Sequence, residues 1–281
     1  MTTLAHTLSD SRVMLRRNLK HQVRYPSMTV MLMGMPIVFL LLFVYVFGGQ
    51  LGAGLGAGLG TNLGPSLGAG LGAHEGRGAY LDYVVPGLLF IAVASAVQGT
   101  AIMVAMDMTG GIIDRFRTMA IARSSVLTGH VLGSLIQISA GIAVLVGVAV
   151  GLGFRSSAGP VEWLAAIGIL ALFAFALIWL AVALGLAAKS VETASNTPMV
   201  LILLPFFGSG FVATATMPTG LRQFAEYQPF TPVTDTVRGL LTGSAIGDHA
   251  IAAIAWSVGI AVVGYLWSTR LYDRRRAAEP K

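Results

Sequence analysis

The residues able to do chemistry are few, and their spacing excludes most catalytic schemes. The five histidines (His6, His21, His74, His130 and His249) are scattered, and no H-E-x-x-H places two of them on one helical face to hold zinc. Cysteine is absent, so the chain has no thiol nucleophile, disulfide or thiolate metal site. There is no G-x-x-x-x-G-K-S/T to cradle ATP phosphates and no G-x-S-x-G nucleophile elbow. The chain is therefore expected not to be an enzyme and to bind no cofactor itself. The apolar stretches hold no central Asp, Glu, Lys or Arg, whereas ion-driven carriers usually mark their pathway with such groups; Asp107 lies only at a boundary. Sodium sites built from carbonyls stay open. Gln98 and Gln137 are the notable polar residues within apolar runs, and either bond across helices or line a pathway.

Two further constellations stand out. After the breaker Gly110-Gly111, the residues Ile112, Ile113, Phe116 and Met119 recur at helical spacing, with Asp114, Arg115, Arg117 and Thr118 facing away. This predicts a short amphipathic helix over 112–119. A docking element suits its bulky stripe, and a solvated connector is the plainer alternative. Between Pro218 and His249, Leu221, Phe224, Ala225 and Gln228 form one short stripe stopped by Pro229. Thr231 is then an N-cap candidate with Pro232 at the first helical position. Val233, Val237, Leu240 and Leu241 form the next stripe, ended by Gly243, and Asp235 and Arg238 have the i,i+3 spacing of a pair.

The elements that must carry these residues follow from composition. Of 281 residues, 55% are hydrophobic and 11% charged, and the mean hydropathy is +0.78. A soluble domain carries about 25% charge. Apolar runs long enough to cross a ~30 Å hydrocarbon core recur at 28–47, 84–106, 131–153, 164–188, 198–217 and 251–269. In lipid such runs must be helices, so the fold class is an all-α integral membrane protein with six transmembrane helices. Gly147 and Gly151 in the third run have the small-xxx-small spacing of close helix packing, and Pro205, Gly208 and Gly210 allow a kink in the fifth. The chain divides into an N-terminal tail 1–27, a membrane domain 28–269 and a basic tail 270–281.

Charge placement orients the bundle. With six crossings, fourteen of the 18 Lys and Arg fall on the side of the two termini and four on the other. Cytoplasmic segments carry that excess, so both termini are predicted to be cytoplasmic. The net charge of +6 is thus a topology signal, and no motif for nucleic acid accompanies it. Leu8, Leu15, Leu19 and Val23 form one stripe before Pro26, with Arg16, Arg17, Lys20, His21 and Arg24 opposite. This predicts an N-terminal helix lying in the membrane interface, the alternative being a solvated basic tail. The Leu-Gly-Ala-Gly repeats of 50–73 predict a flexible outer loop, since alternate glycines make helix costly.

Three segments in order along the chain carry a family resemblance. The run from Gly110 to Gly129 resembles the cytoplasmic loop of ABC-2 type permeases, in particular the daunorubicin-resistance DrrB-like branch. Tyr80-Leu-Asp-Tyr-Val-Val-Pro-Gly87 resembles that family's entry to its second span, and Gln228–Leu241 its segment before the last. The resemblance implies a permease subunit of an ABC exporter in the bacterial inner (cytoplasmic) membrane. Its implied partners are two copies of a separate ATP-binding protein, which carry the ATP and Mg, and a second permease copy or paralogue. The coupling helix would fall on Ile112–Met119 and an elbow helix on Leu8–Arg24. Outer re-entrant helices would cover Leu221–Gln228 and Pro232–Thr242, with Pro229, Thr231, Pro232, Asp235 and Arg238 among their residues. The long Leu-Gly-Ala-Gly insert departs from the family's usual short loop. The implied cargo is an amphipathic drug, antibiotic or lipid. A lipid or glycolipid exporter, an ion-coupled secondary carrier and a non-transporting scaffold are the alternatives.

Overall fold

The computed structural model describes residues 12–20, 24, 26–47, 73–110, 123–212, 214 and 217–277. Every regular element among them is helical. Helix α1 covers 12–20, and α2 runs Pro26–Leu42 into a π-helical turn Phe43–Phe47. Then come α3 Ala73–Thr109, α4 Arg123–Gly151, α5 Pro160–Ala187 and α6 Val191–Asn196. Helix α7 Met199–Leu203 tightens into a 3-10 turn Leu204–Phe207. Helices α8 Thr219–Tyr227, α9 Phe230–Thr242 and α10 His249–Ala277 complete the chain. Pro26 and Pro160 open their helices, where a missing N–H costs no hydrogen bond.

Among the described residues, four helical stretches are long and apolar enough to cross a membrane: Tyr80–Thr109, Leu127–Gly151, Pro160–Ala187 and His249–Tyr272. Helices α3 and α5 form the centre. Helix α5 packs on α3, α4, α9 and α10, and α3 also meets α2 and α6. Phe90 of α3, Phe173 of α5 and Phe230 of α9 meet edge-to-face, with centroids 5.1 to 6.4 Å apart. This T-shaped trio adds quadrupole attraction to the burial of three large side chains. It also explains why α9 is a core element, with Phe230, Val233, Val237 and Leu241 all but completely buried. Helix α8 packs on α9 and leaves Leu221, Phe224 and Tyr227 exposed.

The structure departs from the sequence reading at several places. The fifth apolar run is a broken chain of short helices, where a kinked span was expected. Pro205 has no N–H to give, and Gly208 is extended at φ −104°, ψ −172°, so the backbone leaves the helix there. Helix α9 starts at Phe230, with Pro229 at the cap position, so Thr231 lies inside the first turn and does not cap it. Gly243, at φ 73°, is the left-handed residue that ends it. Gly147 and Gly151 face open space, so among the described residues no helix uses their small size. Helix α3 begins at Ala73, about three turns before the apolar run at Val84.

Candidate functional site

Polar side chains gather at the two ends of the membrane-length part of α3, Tyr80–Thr109. At the C-terminal end, Asp107 accepts two bonds from Arg17 of α1, from Nη1 at 3.2 Å and Nη2 at 2.9 Å. A guanidinium fork matches a carboxylate in this way, which makes the pair directional as well as charged. His130 Nε2 lies 3.2 Å from the same carboxylate, and Asn18 Nδ2 is 3.4 Å from His130 Nδ1. An Asn amide donating to Nδ1 leaves the imidazole proton on Nε2, where it points at Asp107. Asp107 thus joins α1, the last turn of α3 and the second turn of α4.

The segment between α3 and α4 is the one expected to dock a partner. Ile112, Ile113, Asp114, Arg115, Phe116, Arg117 and Met119 lie outside the described residues, as does 50–72 of the first outer loop. The polar cluster stands on both flanks of 111–122: Asp107 two residues before the end of α3, His130 seven residues after the start of α4.

Helix α1 differs from the stripe read in the sequence. Met14 and Asn18 are buried, Leu15 and Leu19 are half-buried, and Arg17 turns inward although it was assigned to the outer face. The cause lies on α4. A Cβ at Gly129 would come within 2.5 Å of Met14 Cβ, and one at Gly133 within 3.2 Å of Asn18 Cβ. Two glycines four apart therefore form a flat seat for Met14 and Asn18, themselves four apart.

At the other end of that membrane-length part, the broken fifth segment meets α9. Arg238 Nη1 bonds Asp235 Oδ1 at 2.6 Å, its Nη2 bonds the Ser209 carbonyl at 2.7 Å, and its Nε bonds the Tyr83 carbonyl at 3.3 Å. Its guanidinium also lies 4.0 Å from the Tyr83 ring centroid. Ser209 Oγ donates to Asp235 at 2.6 Å, Tyr83 Oη to the Ser209 carbonyl at 3.0 Å, and Ser209 N to Thr231 Oγ1 at 3.3 Å. Gly87 and Gly210 bring the backbones into contact, since a Cβ on Gly87 would lie 2.5 Å from the Gly210 carbonyl oxygen. Backbone that leaves the helix inside a bundle must find new partners for its carbonyls. Arg238 and Tyr83 supply them.

Of the outer residues singled out in the sequence, Thr231, Asp235 and Arg238 thus share one network, while Pro229 and Pro232 shape the start of α9. Gln98 and Gln137 are not brought together. Gln98 Nε2 donates to the Ser195 carbonyl of α6 at 2.7 Å. Gln137 faces a small cavity lined also by Pro36, Ala92, Ala96, Gly141 and Leu145, from α2, α3 and α4. Sequence reasoning missed Arg17, Asn18, Asp107, His130, Ser209 and Tyr83. Two signals pointed to the first group: a carboxylate at the end of an apolar helix needs a counter-charge, and G-H-V-L-G at 129–133 has close-packing spacing.

Comparison with known proteins places this geometry. The ABC-2 type transporter family matches residues 10–242. A similar protein is the daunorubicin resistance ABC transporter permease protein DrrB1 of Streptomyces coeruleorubidus, 29% identical over 199 residues, which span 70% of each chain. Another is the probable doxorubicin resistance ABC transporter permease protein DrrC of Mycobacterium tuberculosis. It is 25% identical over 177 residues, covering 62% of this chain and 64% of the relative.

Proposed function

This chain belongs to the ABC-2 type transporter family, in its Drr branch, and from that premise we propose that it exports an amphipathic drug, antibiotic or lipid. It is a multi-pass membrane protein and a permease subunit, a class that works with an ATP-binding subunit and a partner permease. In our reading two copies of a separate ATP-binding protein hold the ATP and Mg, and a second permease copy or paralogue completes the pathway. The membrane is the bacterial inner membrane, with both termini in the cytoplasm. The chain crosses six times: α3, α4, α5 and α10 cross intact, α2 crosses with its π turn, and the broken segment from α6 through 212 makes the sixth. Helices α8 and α9 then re-enter from the outer side.

The observation that carries this reading is the sorting of charge along α3. The Arg17–Asp107–His130 cluster and the Asp235–Arg238 cluster lie at opposite ends of that helix's membrane-length stretch, Tyr80–Thr109. Asp107 and Tyr83 are separated by roughly 36 Å at ~1.5 Å per residue. The middle offers the carboxamides of Gln98 and Gln137, which suit a neutral or amphipathic cargo better than an ion-coupled step. Energy then enters through 112–119. Ile112, Ile113 and Phe116 seat in a groove of the ATP-binding subunit, and Arg115 and Arg117 meet its acidic rim. The names of the relatives favour a drug over a lipid as cargo.

The tagged permease, purified from its native membrane with the ATP-binding subunit that accompanies it, tests the proposal in proteoliposomes. ATP-dependent movement of daunorubicin, or of a phospholipid with a fluorescent tail, is the expected result, and the two probes separate drug from lipid. Phe116→Ala should insert normally and abolish substrate-stimulated ATPase. Transport on an ion gradient without any ATP-binding subunit would overturn the reading.

A further inference from the structure

We infer that α1 is a splint, fixed to the inner ends of α3 and α4 so that the three move as one body with the 111–122 segment between them. Two independent contacts carry the inference. One is apolar and steric: Met14 and Asn18 lie on Gly129 and Gly133 so closely that a Cβ at either glycine would crowd them. The other is polar: Arg17 holds Asp107 with both guanidinium nitrogens, and Asp107 and Asn18 hold His130 between them. The first contact ties α1 to α4 and the second ties it to α3, so α1 bridges the open end of the hairpin.

The mechanical argument follows from that placement. A force applied to the tip of a helical hairpin acts on two helices that meet only along their own packed faces. Near this end α3 and α4 share the Thr100–Ser134 hydrogen bond at 2.8 Å, well inside the bundle. Beyond it the two helices are joined by the Asp107–His130 pair, and Arg17 and Asn18 of α1 hold its two members in place. Arg17 reaches Asp107 at the last turn of α3, while Asn18 sits on the second turn of α4, so α1 crosses where splaying would begin. Arg17, Asp107 and His130 are thus positioning residues, which turn displacement of 111–122 into displacement of α3 and α4 together.

This rests on the proposal that energy enters at 112–119, and the test separates the two ideas. The chain has no native cysteine, so the two introduced thiols are the only ones it contributes, and a bridge within it keeps the mass of one chain on a non-reducing gel. Asn18 and Gly133 suit a bridge, because the Cβ atoms would be 3.2 Å apart, slightly under the ~3.5–4.5 Å of disulfides. In membranes, Asn18→Cys/Gly133→Cys should oxidise to one intramolecular bridge equally well with and without ATP. The bridged complex should transport daunorubicin or the fluorescent phospholipid as the reduced one does. Arg17→Ala and Asp107→Asn should each lower substrate-stimulated ATPase by about tenfold while basal ATPase persists. The bridge should form in Arg17→Ala as well, because the glycine seat does not need the ion pair, but it should not restore stimulation there, because it leaves α1 untied from α3.

Arrest of transport by the bridge, relieved by a reducing agent, would show that α1 must part from α4, and would overturn the inference. So would a bridge that forms in only one nucleotide state, fails to form in Arg17→Ala, or restores stimulation there without the tie to α3. Undiminished stimulation in Arg17→Ala and Asp107→Asn would overturn it too. Phe116→Ala in the same vesicles judges the underlying proposal alone: full stimulation there removes the coupling segment while leaving the bridging yields as they stand.

Discussion

Arg238 shows how much one side chain settles here. Its guanidinium neutralises Asp235, caps carbonyls on two other segments and covers the Tyr83 ring. Lysine has one charge centre and no planar fork, so it cannot make those contacts together. Arg238→Ala should lower unfolding stability by about 2 kcal/mol, since it removes several charge-assisted hydrogen bonds from a partly buried pair. Arg238→Lys should fall between that variant and wild type. Denaturation in detergent, followed by circular dichroism, measures both, and equal stability of Arg238→Ala and wild type would refute the assignment. The Asp235–Arg238 pair was legible from its i,i+3 spacing. Its other partners were not, because Tyr83 lies 155 residues away and offers a backbone carbonyl, which every residue has.

At the scale of elements, hydrophobic runs located the helices, and packing decided how they end. The fifth run reads as membrane-length in composition. Proline and glycine in such a run permit a kink or a break, and the choice turns on whether the freed carbonyls find donors. Here Arg238 and Tyr83 provide donors to Ser209, so the break is stable. No local pattern contains that information. Helix α1 teaches the same lesson, because its stripe of leucines was plain but the seat offered by Gly129 and Gly133 chose Met14 and Asn18 to face inward. The broken segment and α3 touch through Gly87 and Gly210, so Gly87→Ala should push them apart and destabilise by ~2 kcal/mol, the usual cost of overpacking. Phe230→Ala should cost more, about 3 kcal/mol, because it removes the ring shared by Phe90 and Phe173. A reversed order in thermal melts would mean that the glycine contact between α3 and the broken segment holds the bundle more firmly than the aromatic trio does.

For the whole molecule, the apolar surface and the side on which each loop emerges must agree. Helices α4 and α10 leave many large apolar side chains exposed, Ile136, Val144, Ile251, Val262 and Val263 among them, as helices facing lipid or another apolar surface do. With six crossings, the fourteen-to-four division of basic residues predicts which side is inner. It was read from sequence alone, and one pair of positions tests it together with the sixth crossing. Lys189 follows α5 and Thr219 opens α8, both exposed, with the broken segment between them. A broken helix can cross, or it can dip and return on the same side, and its hydropathy is the same in both cases. The two outcomes differ in which face bears Thr219. In a chain with no cysteine, Lys189→Cys should react with an impermeant maleimide only after the cells are opened. Thr219→Cys should react in intact cells. Labelling of both positions from the same side would reduce the bundle to five crossings and place α8 and α9 on the inner side. The Arg238 network would then stand among the cytoplasmic loops, and the export reading would lose its outer re-entrant helices.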